Sequence, residues 1–223
     1  MLRRRDFSAL VGVAAVAGLS AGGPARAQGA PVEGKQYQRL GTPLPTPPGK
    51  IEVIEFFWYG CPHCFAFDPT LEAWVKTLPA DVAFRRVHVG FNAMIKLHQK
   101  LFYALEAMGK EAEVHQAVFN AFHVQGLNVS DEAAITAMVG RLGIDTAKFK
   151  EAFNSFGVAT KASQAVKLSE AFRIDGVPAL GVAGRFLTSP SMAGTRGQSE
   201  LALGQQATAV ADHLIKLARS NKA

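Results

Sequence analysis

The two cysteines of this 223-residue chain are separated by two residues, in Cys61-Pro62-His63-Cys64. At that spacing two thiols can open and close one disulfide. The run Phe56-Phe57-Trp58-Tyr59-Gly60 before them ends an apolar stretch that reads as a buried strand, and the segment after Cys64 reads as a helix. Cys61 then falls at a helix N-terminus, where backbone N–H groups lack intrahelical partners and favour a thiolate. An N-cap sulfur faces solvent, whereas a residue three positions on lies in the first turn and is partly covered. Cys61 is therefore expected to be the nucleophile and Cys64 the resolving thiol of a thiol–disulfide exchange.

A free cysteine titrates near 8.5, and lowering that by roughly 3 to 5 units needs about 4 to 7 kcal/mol in favour of the anion. A helix dipole supplies about 0.3–1 kcal/mol, about 2 at best. Each hydrogen bond to a charged acceptor adds about 1.5–3 kcal/mol. The dipole alone is not enough, and backbone N–H groups together with His63 are expected to supply the rest. Whatever favours the charged, reduced form also makes the disulfide easier to reduce. A low-pKa Cys61 is a poor nucleophile but a good leaving group, which suits a donor of disulfides.

Other uses of a cysteine pair fit less well. A bridge closing so short a loop constrains little of the unfolded chain. Zinc needs four ligands, and the other histidines show no paired spacing. Covalent haem attachment needs a histidine after the second cysteine, where Phe65 stands, and an iron–sulfur cluster lacks its cysteines. No metal and no cofactor is expected. His63 is either an exposed surface residue or, between the cysteines, a partner of the Cys61 thiolate. Glu55 interrupts the apolar strand, where an unpaired carboxylate is costly. It either faces water from an edge strand or is a buried acid of raised pKa that moves protons to and from Cys64. His88, His98, His115 and His123 read most simply as strand or helix-surface residues.

The elements that must position this motif can be followed along the chain. Residues 28–50 are rich in Gly, Pro and polar residues and read as an extended arm. Ile51 to Trp58 is the central strand, apolar enough to be covered on both faces. A helix follows from Cys61 to about Thr77, with Pro62 at its first position, where a missing N–H costs nothing. Pro69 inside that helix should kink it. Asp81 to Val89 reads as a second strand, completing a β-α-β unit with a right-handed crossover. Helices are expected over Asn92–Met108, Glu111–Val124, from a Ser130 cap to Gly143, from an Asp145 cap for about ten residues, and over Val158–Phe172. Strand character returns at Val177–Leu187, broken by Gly181 and Gly184 as a hairpin would be, and Glu200–Ser220 is a closing helix. The expected organisation is a split α/β domain over 51–90 and 173–223, with a helical insertion over 91–172.

Met1 to Phe7 is a basic n-region, Ser8 to Leu19 an apolar stretch of small residues, and Ala25-Arg26-Ala27 an A-x-A cleavage site. Roughly 12 apolar residues interrupted by Gly12 and Gly18 are too few to span a bilayer. Residues 1–27 are therefore expected to be a cleaved export signal. Arg4-Arg5-Asp6-Phe7 resembles the twin-arginine motif, with Ser8 where an apolar residue is usual, so the export route stays open. Removal of the leader takes away four arginines and one aspartate, so the net charge of +6 falls to +3. No Lys/Arg run or aromatic-basic interleaving suggests nucleic acid. Two cysteines are too few for a disulfide-stapled scaffold of this length, so the pair is there for chemistry.

Cys61-Pro62-His63-Cys64 after Glu55-Phe56-Phe57, with Gly176-Val177-Pro178 far downstream, resembles the DsbA family of bacterial periplasmic disulfide oxidases. The resemblance covers essentially the whole chain after the leader and implies a thioredoxin-like fold with an inserted helical domain. It implies that Pro178 has a cis peptide bond and faces the active disulfide, with Pro62 and Val177 shaping substrate contacts. It also implies a monomeric periplasmic enzyme that oxidises reduced exported polypeptides and is reoxidised by a membrane quinone reductase of the DsbB type. Glu55 matches the family's buried acid, and its usual lysine partner falls at Arg86, which cannot deprotonate as lysine can. Pro69 departs from the family and is similar to thioredoxin proper. The rival functions are a disulfide isomerase or reductase on the same fold, and a non-catalytic peptide-binding or chaperone module whose disulfide stays closed.

Overall fold

The computed structural model describes residues 29–220, so the expected leader over 1–27 lies outside the described residues. Ile-Glu-Val-Ile-Glu-Phe-Phe forms strand β2 (Ile51–Phe57), buried at every position. It lies inside a five-stranded sheet of order β1-β5-β4-β2-β3, with β1 (Gln38–Arg39), β3 (Val82–His88), β4 (Ala179–Val182) and β5 (Phe186–Thr188). The parallel β2 and β3 are connected by helix α1 (Pro62–Val75), while β4 runs antiparallel to both β2 and β5. Between β3 and β4 come five helices: α2 (Ala93–Ala107), α3 (Glu111–His123), α4 (Glu132–Arg141), α5 (Thr146–Phe153) and α6 (Phe156–Ala171). The chain closes with α7 (Pro190–Ala193) and α8 (Glu200–Ser220). This is the thioredoxin-like α/β fold with a helical insertion.

The period-2 alternation of β2 divides its side chains between two cores. Ile51 and Val53 pack with Phe67, Leu71 and Trp74 of α1 and with Leu214 of α8. Ile54 and Phe56 join the second core, which the inserted helices supply with Phe102, Phe119 and Phe149. Glu55 lies between Val53 and Phe57 in the alternation, and those two belong to different cores. The acid therefore sits at the seam where the two hydrophobic masses meet.

Several local expectations are corrected. Residues 28–50 are more than an extended arm: Gln38 and Arg39 pair with Leu187 and Phe186 as the edge strand β1. Tyr37 is buried edge-on against Phe186 at 5.9 Å between ring centroids. A two-residue strand in a polar stretch carries no readable alternation. The cap of α4 is Asp131, whose side chain accepts from the Ala134 N–H at 2.8 Å, and not Ser130. Pro69 lies inside α1, as read from the sequence. Gly181 lies inside β4 and does not break the hairpin; a Cβ there would stand 2.5 Å from the Phe172 ring. The turn is made by Ala183 and Gly184, at φ 53° and 62°, with the Arg185 N–H donating to the Val182 carbonyl at 3.0 Å.

His98 and His115, expected on helix surfaces, are 3% and 5% exposed, and His88, on its expected strand, is 0% exposed. Each has its ring nitrogens occupied, which makes burial tolerable. His88 Nε2 accepts from the Tyr59 N–H at 3.3 Å and Nδ1 donates to the Val89 carbonyl at 2.9 Å. His98 Nδ1 accepts from Trp58 Nε1 and Nε2 donates to the Val129 carbonyl, both at 2.9 Å. His123, half-buried, donates to the Tyr59 carbonyl at 2.7 Å and stacks on Phe65 at 4.9 Å. With His115, which meets the Tyr59 hydroxyl at 3.1 Å, all four rings thus contact the segment immediately before Cys61.

Two glycines in similar-looking sequence should respond oppositely to a methyl group. Gly181→Ala forces the Phe172 ring against Phe56, its neighbour at 5.1 Å, and is expected to destabilise by about 1–3 kcal/mol. Gly157→Ala, on the exposed first turn of α6, meets only ordinary contact with Ser155 Oγ at 3.8 Å. It is expected to stabilise by a few tenths to about 1 kcal/mol. Urea denaturation midpoints at unchanged slope measure both.

Candidate active site

Cys61 is the N-cap of α1, in extended conformation at φ −86° and ψ 117°, with Pro62 as the first helical residue. The strand delivers it: the Cys61 N–H donates to the Trp58 carbonyl at 2.9 Å, closing the turn after β2. Its sulfur accepts from the Cys64 N–H at 3.4 Å. Both cysteines are free thiols here, Cys61 6% exposed and Cys64 fully buried.

Burial acts on the two sulfurs unequally. The Cys61 thiol is lowered to about 6. The largest cause is the hydrogen bond from the Cys64 side chain; burial opposes it, and the N–H groups of Cys64 and His63 and the charge of His63 follow. Cys64 moves the other way, pushed well above the ordinary thiol value by burial, then by its bond to Cys61 and the negative charge nearby. The sequence reading assigned the stabilisation to backbone N–H groups and His63; the structure adds the Cys64 thiol and places it first. One sulfur becomes the anion, and the other holds a proton and shares it.

The His63 ring is exposed, 63% of its side chain open to solvent, with Nδ1 2.8 Å from Glu200 Oε1. Glu200 begins α8, 137 residues away, and nothing in the local sequence could have marked it. Pro62 is exposed beside Cys61. Across the motif the Val177–Pro178 peptide is cis, and the Cys61 S–H donates to the Val177 carbonyl at 3.4 Å. A groove of about 440 Å³ opens there, its walls including His63, Gly176, Val177, Pro178, Met192 and Leu203. The structure thus brings together two segments more than 100 residues apart that were singled out in the sequence.

Glu55 is 1% exposed on the central strand, so the water-facing reading is excluded. Arg86 stands directly opposite it on β3 and donates from Nε to Glu55 Oε2 at 2.9 Å. Glu55 Oε1 is buried with no hydrogen-bond partner. Burial pushes the acid up to about 7, with Arg86 and then His115 pulling against it and Asp68 adding to it. Its charge in turn raises Cys64. Arg86 also reaches Asp68 at 3.3 Å and Glu72 at 2.5 Å on α1. Asp68, 1% exposed, was missed in the sequence; a single acid on a helix carries no sign of facing inward. No group of histidine, cysteine and acidic residues among the described residues is arranged to hold a metal.

A family model for the DSBA-like thioredoxin domain matches residues 52–202. The thiol:disulfide interchange protein DsbA of Bordetella pertussis is 43% identical over 195 residues, covering 86% of this chain and 91% of that protein. Its counterpart in Azotobacter vinelandii is 42% identical over 188 residues, 84% of each chain. Among solved structures, Pseudomonas aeruginosa DsbA superposes with a TM-score of 0.79 at 37% identity, over 86% of this chain and 96% of that one. DsbA from Xylella fastidiosa gives 0.76 at 26% identity, over 85% and 98%. With the dithiol at a helix start, a cis proline facing it and these likenesses spanning most of its length, the chain belongs to the DSBA-like thioredoxin domain family and is a thiol:disulfide oxidoreductase.

Proposed function

We propose that the protein is a periplasmic dithiol oxidase that introduces disulfides into exported polypeptides, and that a membrane quinone reductase of the DsbB type reoxidises it. Members of this family act on exported substrates, and no helix among the described residues is long and apolar enough to cross a membrane. The observation that carries the reading is the opposite displacement of the two thiols, Cys61 down and Cys64 up. A pair in which the sulfur at the helix start is favoured as a thiolate gains from being reduced, and so takes electrons from substrates.

In the oxidised protein a substrate thiolate attacks Cys61 Sγ. The Cys61–Cys64 bond breaks and its electron pair goes to Cys64 Sγ. Glu55 gives the departing sulfur a proton and becomes a carboxylate, held by Arg86. A second thiolate of the substrate then attacks the substrate's own sulfur in the mixed disulfide, and Cys61 leaves as a thiolate. The substrate ends with one disulfide and the enzyme with Cys61 as thiolate and Cys64 as thiol. In reoxidation the Cys61 thiolate attacks a disulfide of the reductase, whose other sulfur leaves as a thiolate; Glu55 then takes the proton of Cys64, and the Cys64 thiolate attacks Cys61 Sγ, restoring the Cys61–Cys64 bond as the reductase's second sulfur leaves as a thiolate. His63 contributes positive charge and its N–H at Cys61. Pro62, Val177 and Pro178 form the surface against which an extended peptide lies, with the Val177 backbone beside the sulfur.

Cys64→Ser should accumulate mixed disulfides between Cys61 and substrate, and Cys61→Ser almost none; a nonreducing gel of periplasmic extract reads both. Equal trapping would overturn the order of the sulfurs.

Cys64→Ala removes the strongest donor to the thiolate. It is expected to raise the Cys61 pKa by about 1–2 units, the equivalent of one charge-assisted hydrogen bond. His63→Ala should raise it less, because the ring's charge is the smallest of the named causes. Thiolate absorbance against pH ranks the two, and the reverse order would return the leading role to His63.

Reduced and oxidised proteins should differ in the pH dependence of their stability. Cys61 in the folded reduced form sits at about 6, below the unfolded value of about 8.5. Its contribution is therefore complete above about 8.5, about 2–4 kcal/mol, and is lost as pH falls through about 6. Cys64, displaced upward, opposes it only above the unfolded thiol value. Glu55, also displaced upward, acts in both forms. Denaturation of the two forms in parallel should thus show the reduced form gaining between pH 6 and 8.5, and a constant difference would contradict the Cys61 assignment.

A further inference from the structure

The residues around Glu55 continue past Arg86 into the helical insertion. Asp68 Oδ1, which accepts from Arg86, also accepts from His115 Nε2 at 3.2 Å. The other ring nitrogen, Nδ1, lies 3.1 Å from the Tyr59 hydroxyl and 2.7 Å from Glu111 Oε1, the latter a close charge contact off hydrogen-bond alignment. His115 is 5% exposed and Glu111 16% at its side chain. A ring between two carboxylates favours the imidazolium, because the neutral Nε2–H tautomer, its Nδ1 accepting from the Tyr59 hydroxyl, would leave Glu111 facing a lone pair with no compensating charge. Burial pulls the ring's pKa down, and the hydrogen bond to Asp68 with the close contact to Glu111 more than reverses that.

The charged and titratable groups facing this cluster come from every element packed around it. β2 supplies Glu55, the following turn Tyr59, α1 Asp68 and Glu72, β3 Arg86 and His88, and α3 Glu111 and His115. His88 is held neutral, burial lowering it to about 3. Among the fully buried members, Glu55 and Asp68 compete for one guanidinium. A cation on the far side of Asp68 changes that competition.

We propose that His115 is a positioning residue for proton transfer at Cys64: as an imidazolium it neutralises Asp68, leaves the Arg86 guanidinium to hold Glu55, and so keeps Glu55 able to take and return the Cys64 proton at neutral pH. The inserted helices then do more than cover the site; α3 adjusts the acid beneath it. This inference rests on the proton role given to Glu55 above. Loss of His115 leaves Asp68 uncompensated, and a second negative charge beside Glu55 favours its protonated form. The step that suffers is the one in which Glu55 must be a base, the attack of Cys64 on a mixed disulfide at Cys61.

The test is the rate at which Cys64 resolves the mixed disulfide formed from the reduced protein and oxidised glutathione, followed across pH by acid quench and mass. The native protein should show a midpoint near the Glu55 value of about 7. In His115→Gln, which keeps a donor but no charge, the midpoint should rise by about one unit, a rate about tenfold lower well below it. Asp68→Asn combined with His115→Gln should bring it back toward native, because no other fully buried carboxylate then competes for Arg86 and the partly exposed Glu72 is unchanged. An unmoved midpoint in His115→Gln, or a double variant no closer to native, overturns the proposal, since a merely structural role predicts neither shift nor rescue. In Glu55→Gln the midpoint should vanish. If it persists, the Glu55 reading fails and the His115 role fails with it; if it vanishes while His115→Gln keeps the native midpoint, only the His115 role fails. Nitrogen chemical shifts of the His115 ring in the unmodified reduced protein give a reading free of folding defects. Both nitrogens protonated at neutral pH support the proposal, and a neutral ring overturns it.

Discussion

A thiolate at the first turn of α1 must be stabilised without letting its neighbour ionise as well. The rest of the molecule depends on this constraint. The helix start offers two N–H groups to Cys61, and the Cys64 thiol adds its own proton from below. These donors converge only while α1 keeps its angle to β2. That angle is fixed by Phe67, Leu71 and Trp74 packing between the sheet and α8. Trp74 Nε1 also donates to Asp212 of α8 at 2.9 Å, tying the helix pair at the end remote from the cysteines. Burial of Cys64 comes from the same packing. One piece of geometry therefore lowers one thiol and raises the other.

Beneath the sulfurs the molecule holds charge where a simple core would have none. Removing a carboxylate from water costs several kcal/mol unless partners replace the lost hydration, and breaking a buried pair leaves an uncompensated charge. Arg86 meets this cost for three acids at once, with Glu55, Asp68 and Glu72 around its guanidinium. Its fork shape permits that, where a point-like ammonium would favour fewer directions. Three buried carboxylate oxygens of this cluster, Glu55 Oε1, Asp68 Oδ2 and Glu111 Oε1, have no hydrogen-bond partner among the described residues, and the charge of Glu55 reaches Cys64.

The insertion is joined to this centre by polar contacts as well as by apolar packing. Tyr59, two residues before Cys61, touches three histidines: His88 through its N–H, His115 through its hydroxyl and His123 through its carbonyl. Trp58 adds a fourth, His98. The turn that presents the nucleophile is thus held from β3, α2 and α3 together, and a shift of the inserted helices would be felt at Cys61. Phe57 and Tyr59, ring centroids 5.1 Å apart and edge-on, continue that contact into the apolar core.

The cysteine pair at a helix start, the central strand, most of the helices and the late Val-Pro segment were legible in the sequence, because each rests on local rules: cap chemistry, spacing, the missing N–H of proline and an unbroken apolar run. The ends of most helices followed from the same signals. Which side chains face which was not legible. Glu55 could have stood at an edge, and only the placement of β2 between β4 and β3 buried it; Arg86 became its partner through strand register. His98, His115 and His123 looked like helix-surface residues because a histidine on a helix carries no mark of its direction; packing turned His98 and His115 inward, with His88 of β3, and gave each ring a partner. His63 received Glu200, and Cys61 received the Val177 carbonyl, from segments more than 100 residues away. Local chemistry thus determined that two sulfurs would exchange electrons here. Long-range packing alone decided which charges surround them, because electrostatic environment depends on distance in space and on exclusion of water, and neither is encoded in nearest neighbours along the chain.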